Sequence, residues 1–285
     1  MSLIFDNYNG EIVPANQRVL QFNNRAFHYG DGLFETMRMI KGNLQFAGLH
    51  AKRLQTGMKV LKLDGYSEMD ADFLKDKARE LSTRNKAKNG RLRLTVFRDA
   101  EGLYTPAGNK AAYAIEWETW QDQQYLLNAR GLLVDVYEDL TKPINILSNY
   151  KTCNSLQYVL AGVYRKHNRL DEAFILNQNG FLCESISANI FIKYNGTLYT
   201  PALSEGCIKG VMRQVVIDLA LKNSIPVTEA QIKPQILNEA EEVFLTNATR
   251  GIQWVLGFNR KRYFYETSKF LSQKLNEQIS VSEAM

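Results

Sequence analysis

The chain has 285 residues, 45% of them hydrophobic, and its 35 Lys+Arg exceed its 30 Asp+Glu to give a net charge of +5. That length and apolar content suit one large globular domain or two smaller ones, and exclude a minimal or disordered chain. The basic residues are scattered, which argues against a nucleic-acid face and favours anionic small ligands only slightly.

Three cysteines, Cys153, Cys183 and Cys207, form an odd set without metal-ligand spacing. A disulfide framework or zinc site is therefore not expected, and a reducing cytoplasm fits. The N-terminus carries an early Asp6 and no long apolar run, and no later segment approaches a membrane span, so a soluble cytoplasmic protein is expected.

In chain order, Phe34 to Ile40 has strand character and ends at the turn Lys41-Gly42-Asn43, after which Leu44 to Phe46 could pair back. Leu49, Leu54, Met58, Leu61 and Leu63 predict a helix over 47–63 with one buried face, and 68–85 reads as a second. Arg91 to Phe97 and Ala111 to Glu118 read as strands. Alternation is then lost from Glu118 to Gln124, and Gly131 precedes a new strand at Leu132 to Val136. The expected organisation is a small N-terminal α/β domain (1–118), a linker (119–131) and a larger, β-rich C-terminal α/β domain (132–285). In the latter, Leu156, Val159, Leu160 and Val163 share one helical face after Asn154. Hairpins are expected at 173–183, around Asn177 to Gly180, and at 190–200, around Asn195-Gly196. Helices follow at 210–222 and 265–278, with strands near 242–247 and 252–256.

Against this frame, Lys151 precedes a helix and Glu184 lies between β segments. The pair suggests a pyridoxal phosphate (PLP) site: the cofactor aldehyde needs a lysine amine for its Schiff base, and its ring nitrogen needs an anionic partner. Around them run Tyr29-Gly30-Asp31-Gly32-Leu33-Phe34-Glu35-Thr36, His50-Ala51-Lys52-Arg53-Leu54, Val96-Phe97-Arg98, Asn149-Tyr150-Lys151, Glu184 to Phe191, Gly206 to Arg213 and Thr246-Asn247-Ala248. In this order the motifs resemble the class IV aminotransferases. These are the fold-type IV PLP enzymes that include branched-chain aminotransferase, D-amino acid aminotransferase and 4-amino-4-deoxychorismate lyase.

The resemblance implies a two-domain α/β fold with PLP in the interdomain cleft, and a homodimer whose partner contributes to each active site. Lys151 matches the Schiff-base lysine, which also shuttles a proton. Glu184 matches the pyridine-nitrogen partner, and Arg53 the arginine that holds the phosphate. Gly210-Val211-Met212 opens a predicted helix whose free N–H groups would cradle the same phosphate, with Asn247 and Ala248 in the adjoining motif.

Arg93 matches an arginine near the substrate carboxylate in branched-chain enzymes, and Arg98 one in D-amino acid enzymes and lyases. Five positions apart on one strand, they should face opposite ways. Tyr29 and Phe34 are further candidates to line the substrate site. Leu156 stands where branched-chain enzymes usually have a tyrosine, and Met212 and Ala248 replace hydroxyl-bearing residues, as in the lyases. His28, His50 and His167 read as structural, no metal is expected, and Gly30 and Gly32 make no dinucleotide fingerprint. The expected activity is amino-group transfer between an amino acid and a 2-oxo acid. The alternative is a lyase releasing pyruvate and 4-aminobenzoate.

Overall fold

The chain opens with two short strands, β1 (Phe5–Tyr8) and β2 (Glu11–Pro14), and a helical turn, α1 (Arg25–Tyr29), none of them marked by the apolar patterning of the sequence. Then come β3 (Gly32–Ile40), β4 (Asn43–Leu44), α2 (Ala47–Val60), α3 (Ala71–Arg84), β5 (Gly90–Arg98) and β6 (Ala111–Thr119). The computed structural model describes residues 3–281.

These first elements build a six-stranded sheet in the order β2-β1-β6-β5-β3-β4. Period-two alternation gives its central strands two unlike faces. Leu33, Met37, Leu92, Leu94, Val96, Ile115 and Trp117 enter a core with Leu54 and Met58 of α2 and Leu74 and Leu81 of α3. Burying each such leucine is worth about 2 kcal/mol, so this face sets the register. Phe34, Thr36, Arg93 and Thr95 alternate out of that core, with Phe34 opposite Thr95 and Thr36 opposite Arg93.

Helix α2 stops at Val60 rather than 63, because Lys62 takes a positive φ of 55° and Leu61 and Leu63 pack from the connection. Helix α3 starts at Ala71 rather than 68, since the Asp70 carboxylate caps it by accepting from the Phe73 N–H. The predicted return strand is reduced to Asn43–Leu44, because Phe46 turns into the left-handed region to start α2.

The remaining elements are β7 (Leu132–Lys142), α4 (Leu156–His167), β8 (Glu172–Asn177), β9 (Leu182–Ser185), β10 (Asn189–Tyr194), β11 (Thr197–Pro201), α5 (Val211–Lys222), β12 (Val227–Ala230), β13 (Glu242–Asn247), β14 (Gly251–Phe258), β15 (Lys261–Arg262) and α6 (Glu266–Val281). Their nine-stranded sheet runs β12-β11-β10-β13-β14-β7-β8-β9, with β15 on β14. It is mixed: β7 runs parallel to both β8 and β14. Its core gathers Val134, Phe174, Ile190, Ile192, Val243, Leu245 and Val255. Both predicted hairpins form, and Asn195 and Gly196 take φ of 48° and 75°, the left-handed pair a tight turn needs.

Two compact units result: the chain up to Gln124 with Tyr150–Asn154, and Tyr125–Asn149 with the chain from Ser155 onward. Lys151, which the sequence assigns to the C-terminal domain, packs with the first unit. The apolar stripe of α4 faces outward. Leu156 (69%), Val159 (57%), Leu160 (40%) and Val163 (62%) are exposed, whereas Ala161, with Tyr158 and Tyr164, packs on Tyr137, Ala173 and Ile175. Among the described residues no helix is long and apolar enough to cross a membrane.

Candidate functional site

Backbone pairing sets Lys151. The Phe34 N–H donates to the Lys151 carbonyl at 2.8 Å, the Cys153 N–H donates to the Gly32 carbonyl at 2.9 Å, and Leu33 bridges Thr152. The glycines of the Tyr29–Gly32 motif allow this approach. A Cβ on Gly32 would meet the Val96 carbonyl at 2.7 Å, and one on Gly30, already at a φ of +66°, the Asn154 Oδ1 at 2.6 Å. Lys151 Nζ comes to 4.6 Å from the Phe34 ring centroid, and the Arg93 guanidinium carbon to 3.8 Å from the same centroid. The structure therefore brings Lys151, Phe34 and Arg93 together. Arg93 also has Glu116 at 3.7 Å, and burial draws its pKa below the ordinary arginine value.

Arg98 has a different setting. Its Nε donates to Asp31 at 2.9 Å, its Nη1 to Asn109 at 2.5 Å and its Nη2 to the Leu61 carbonyl at 2.6 Å. Asp31 also accepts from Arg25. This buried knot ties β5 to the end of α2. Tyr29 packs against Tyr104, with ring centroids 5.3 Å apart, under the Arg25 guanidinium.

Arg53 is anchored by Glu35. Its Nε donates to Oε1 at 2.8 Å and its Nη2 to Oε2 at 2.5 Å, while His50 Nδ1 lies 2.6 Å from Oε2. Burial pushes the Glu35 carboxyl up, but Arg53 and His50 outweigh it and hold the group at about 2. Burial also lowers His50, against the pull of Glu35; Arg53 and Lys151 add to the lowering.

In the second unit Glu184 is 2% exposed. Lys142 Nζ donates to its Oε1 at 2.5 Å, the Tyr158 hydroxyl donates to the same oxygen at 2.6 Å, and the Ile208 N–H donates to Oε2 at 2.8 Å. Burial and the neighbouring Glu184 push the Tyr158 hydroxyl far above its ordinary value, so it stays a donor. Lys142 also donates to the Ser148 carbonyl. Asn149 binds the carbonyls of Leu203 and Cys207 and accepts from the Lys209 N–H, closing the loop that leads into α5.

Gly210 precedes α5, whose N-terminus has no side-chain cap. A Cβ there would lie 1.9 Å from Asn189 Oδ1, so only glycine permits the approach. Asn189 pairs in register with Thr246, whose Oγ1 is buried and has no hydrogen-bond partner among the described residues. An uncapped helix N-terminus beside an orphaned hydroxyl fits a phosphate. The side chains of Val211 and Met212 are buried, so only their N–H groups are available to it. Asn247 spends its Oδ1 on its own turn, accepting from the Thr249 N–H, the Thr249 hydroxyl and the Arg250 N–H. The Ala248 carbonyl accepts from Tyr125.

Lys142, Tyr158, Asn189 and Thr246 are absent from the set drawn from the sequence. Lys142 and Tyr158 carry no local signal, since they lie 42 and 26 positions from Glu184. Asn189 and Thr246 lie inside quoted motifs, where a polar residue at the edge of an apolar run was the available cue. The three cysteines are free, and burial raises the thiols of Cys153 and Cys207, the latter to about 12, so neither suits a nucleophile.

The family model of amino-transferase class IV matches residues 32–257. The D-alanine aminotransferase of Listeria monocytogenes is 26% identical over 85% of this chain and 83% of its own. The aminodeoxychorismate lyase of Vibrio harveyi is 25% identical over 85% and 89%. The crystal structure of a branched-chain aminotransferase from Thermoproteus uzoniensis with norvaline superposes with a TM-score of 0.86 at 23% identity, over 96% of this chain and 94% of that one, which is a likeness of fold. The chain thus belongs to the amino-transferase class IV family and is an enzyme of that family.

Proposed function

We propose that the protein is a PLP-dependent aminotransferase in which Lys151 carries the cofactor and moves the proton. The observation that carries this reading is one unit's combination of a buried carboxylate, Glu184, with a glycine-opened, uncapped helix N-terminus at Gly210. They match the two anchoring demands of PLP, an anion for its ring nitrogen and N–H donors for its phosphate. When bound, the cofactor supplies an electron-withdrawing ring that makes the α-hydrogen of an amino acid acidic.

The chain's own residues do the rest. Lys151 Nζ would provide the attachment point and, once the substrate amine has displaced it, the freed amine would accept the proton from the substrate α-carbon. The N–H groups of Val211 and Met212, with the Thr246 hydroxyl, hold the phosphate, and Arg53, its Nε–Nη2 edge set by Glu35, supplies a cation. Glu184 orients the ring. Arg93, beside Lys151 on the Phe34 ring, takes the substrate carboxylate, while Arg98 remains in its knot. Phe34 and Tyr29 line the substrate side. The protein acts as a cytoplasmic homodimer, and the exposed α4 stripe from Leu156 to Val163 supports the pairing of two copies.

A lyase on the same scaffold is favoured by Met212 and Ala248, which bring no hydroxyl to the phosphate motifs. A single-turnover absorbance scan of the PLP-loaded protein tests both readings. Lasting conversion to the aminated cofactor by an L- or D-amino acid, reversed by an oxo acid, establishes transamination and its substrate class. No lasting conversion, with pyruvate released from 4-amino-4-deoxychorismate, makes it a lyase. Absence of any lysine-bound cofactor absorbance overturns the PLP reading.

A further inference from the structure

Glu184 is held by more than an orienting bond. Lys142, at the end of β7, is 3% exposed, and it places its ammonium 2.5 Å from Oε1. A lysine is rarely buried so fully without a purpose for its charge, because desolvation favours its neutral form. Tyr158 reaches the same oxygen from α4, where its ring also lies under the Lys142 ammonium, 5.6 Å from Nζ to centroid. A carboxylate offers about four acceptor sites, two on each oxygen. Among the described residues Oε1 has two donors and Oε2 has one, the Ile208 N–H. The acceptor capacity that remains is therefore on Oε2.

We propose that Lys142 is a positioning residue for the cofactor end of the site. It holds Oε1 of Glu184 occupied, so that Oε2 alone is left to receive the cofactor's ring nitrogen, and it fixes the direction in which that oxygen points. The proposal rests on the PLP reading above. Lys142 touches the carboxylate directly and can only be farther from a ring bound at the other oxygen, so its attraction acts on Oε1 and leaves Oε2 turned toward the ring. Tyr158 acts in the same direction more weakly, as a neutral donor.

The test is the ¹⁵N NMR signal of PLP labelled at its ring nitrogen, bound to the full-length holoenzyme. Without that ammonium the Oε1 side of the carboxylate loses its cation, so Lys142→Met should loosen the contact between Glu184 and the ring nitrogen. The signal then moves toward the unprotonated pyridine position, Lys142→Arg restores it, and Tyr158→Phe gives a smaller displacement of the same sign. An unmoved signal in Lys142→Met, alongside a displaced one in Glu184→Gln, overturns the proposal. Should Lys142→Met fail to fold, an unmoved signal in Tyr158→Phe does the same. A wild-type protein with no lysine-bound cofactor absorbance would instead refute the PLP reading itself, so the two failures are distinguishable.

Discussion

Glu35 and Glu184 are both buried carboxylates paired to a cation, yet they are built in opposite ways. Glu35 receives both edges of its bond from one helix, since His50 and Arg53 are neighbours on α2 and reach down onto β3. The planar arginine fork suits a carboxylate, and the result is a strut between a helix and a sheet. Glu184 collects its donors from β7, from α4 and from the loop before α5, and its cation is a lysine, a point charge that occupies one oxygen. Among the described residues each carboxylate has two donors on one oxygen and one on the other, so the difference is their origin: donors from one helix make a strut, and donors from three separate elements make a point of convergence. The two arginines of β5 repeat the contrast, Arg98 within a knot of acceptors and Arg93 over an aromatic ring beside Lys151.

The comparison can be broken or sharpened by substitution. The largest effect belongs to Lys151→Ala, which should abolish the lysine-bound cofactor absorbance and lower turnover about 10³-fold or more while leaving unfolding nearly unchanged. Retention of normal absorbance would move the attachment to another lysine. Glu35→Gln should cost roughly 3 kcal/mol of stability by urea unfolding, because it removes the buried negative charge that pairs with Arg53.

The same residue gives a pH signature. Its folded pKa, about 2, lies below its ordinary 4.5, so its contribution is complete above pH 4.5 and is lost as pH falls toward 2. Wild type should lose stability across that window, and Glu35→Gln should lose less; equal slopes would contradict the strut.

Arg98→Ala should cost about 2 kcal/mol of stability, since Asp31 loses one of its two arginines and the Leu61 carbonyl and Asn109 Oδ1 each lose a donor. Arg93→Ala should raise KM roughly tenfold with little change in unfolding. An exchange of these two phenotypes would reverse the assignment of the substrate arginine. The smallest change is expected from Val163→Glu on the exposed α4 stripe. It should leave the monomer's fold intact by circular dichroism and weaken self-association by about tenfold in sedimentation, a loss of roughly 1.4 kcal/mol. Unaltered association would remove that face from the dimer reading.

Much of this molecule is written locally. The alternation of Leu33, Met37, Leu92, Leu94 and Val96 and the Asn195-Gly196 turn are patterns set by residues a few positions apart, so they can be read without a fold. The motif order around Lys151 and Glu184 also declares the family, because backbone approach and anion binding demand particular residue types at particular spacings.

Other features exist only once the chain has closed. The α4 stripe has the same pattern whether it meets a core or solvent, and the tertiary structure alone turned Ala161 inward and Leu156 outward. Sequence offset could separate Arg93 from Arg98, but only packing showed which one Asp31 claims. Lys142 and Tyr158 find Glu184 across strands and helices that sequence distance does not relate. Types of side chain and short-range geometry are determined by the chain itself. Which oxygen of Glu184 remains to accept, and which arginine stands beside Lys151, are decided by long-range contacts, because burial makes each donor choose one acceptor.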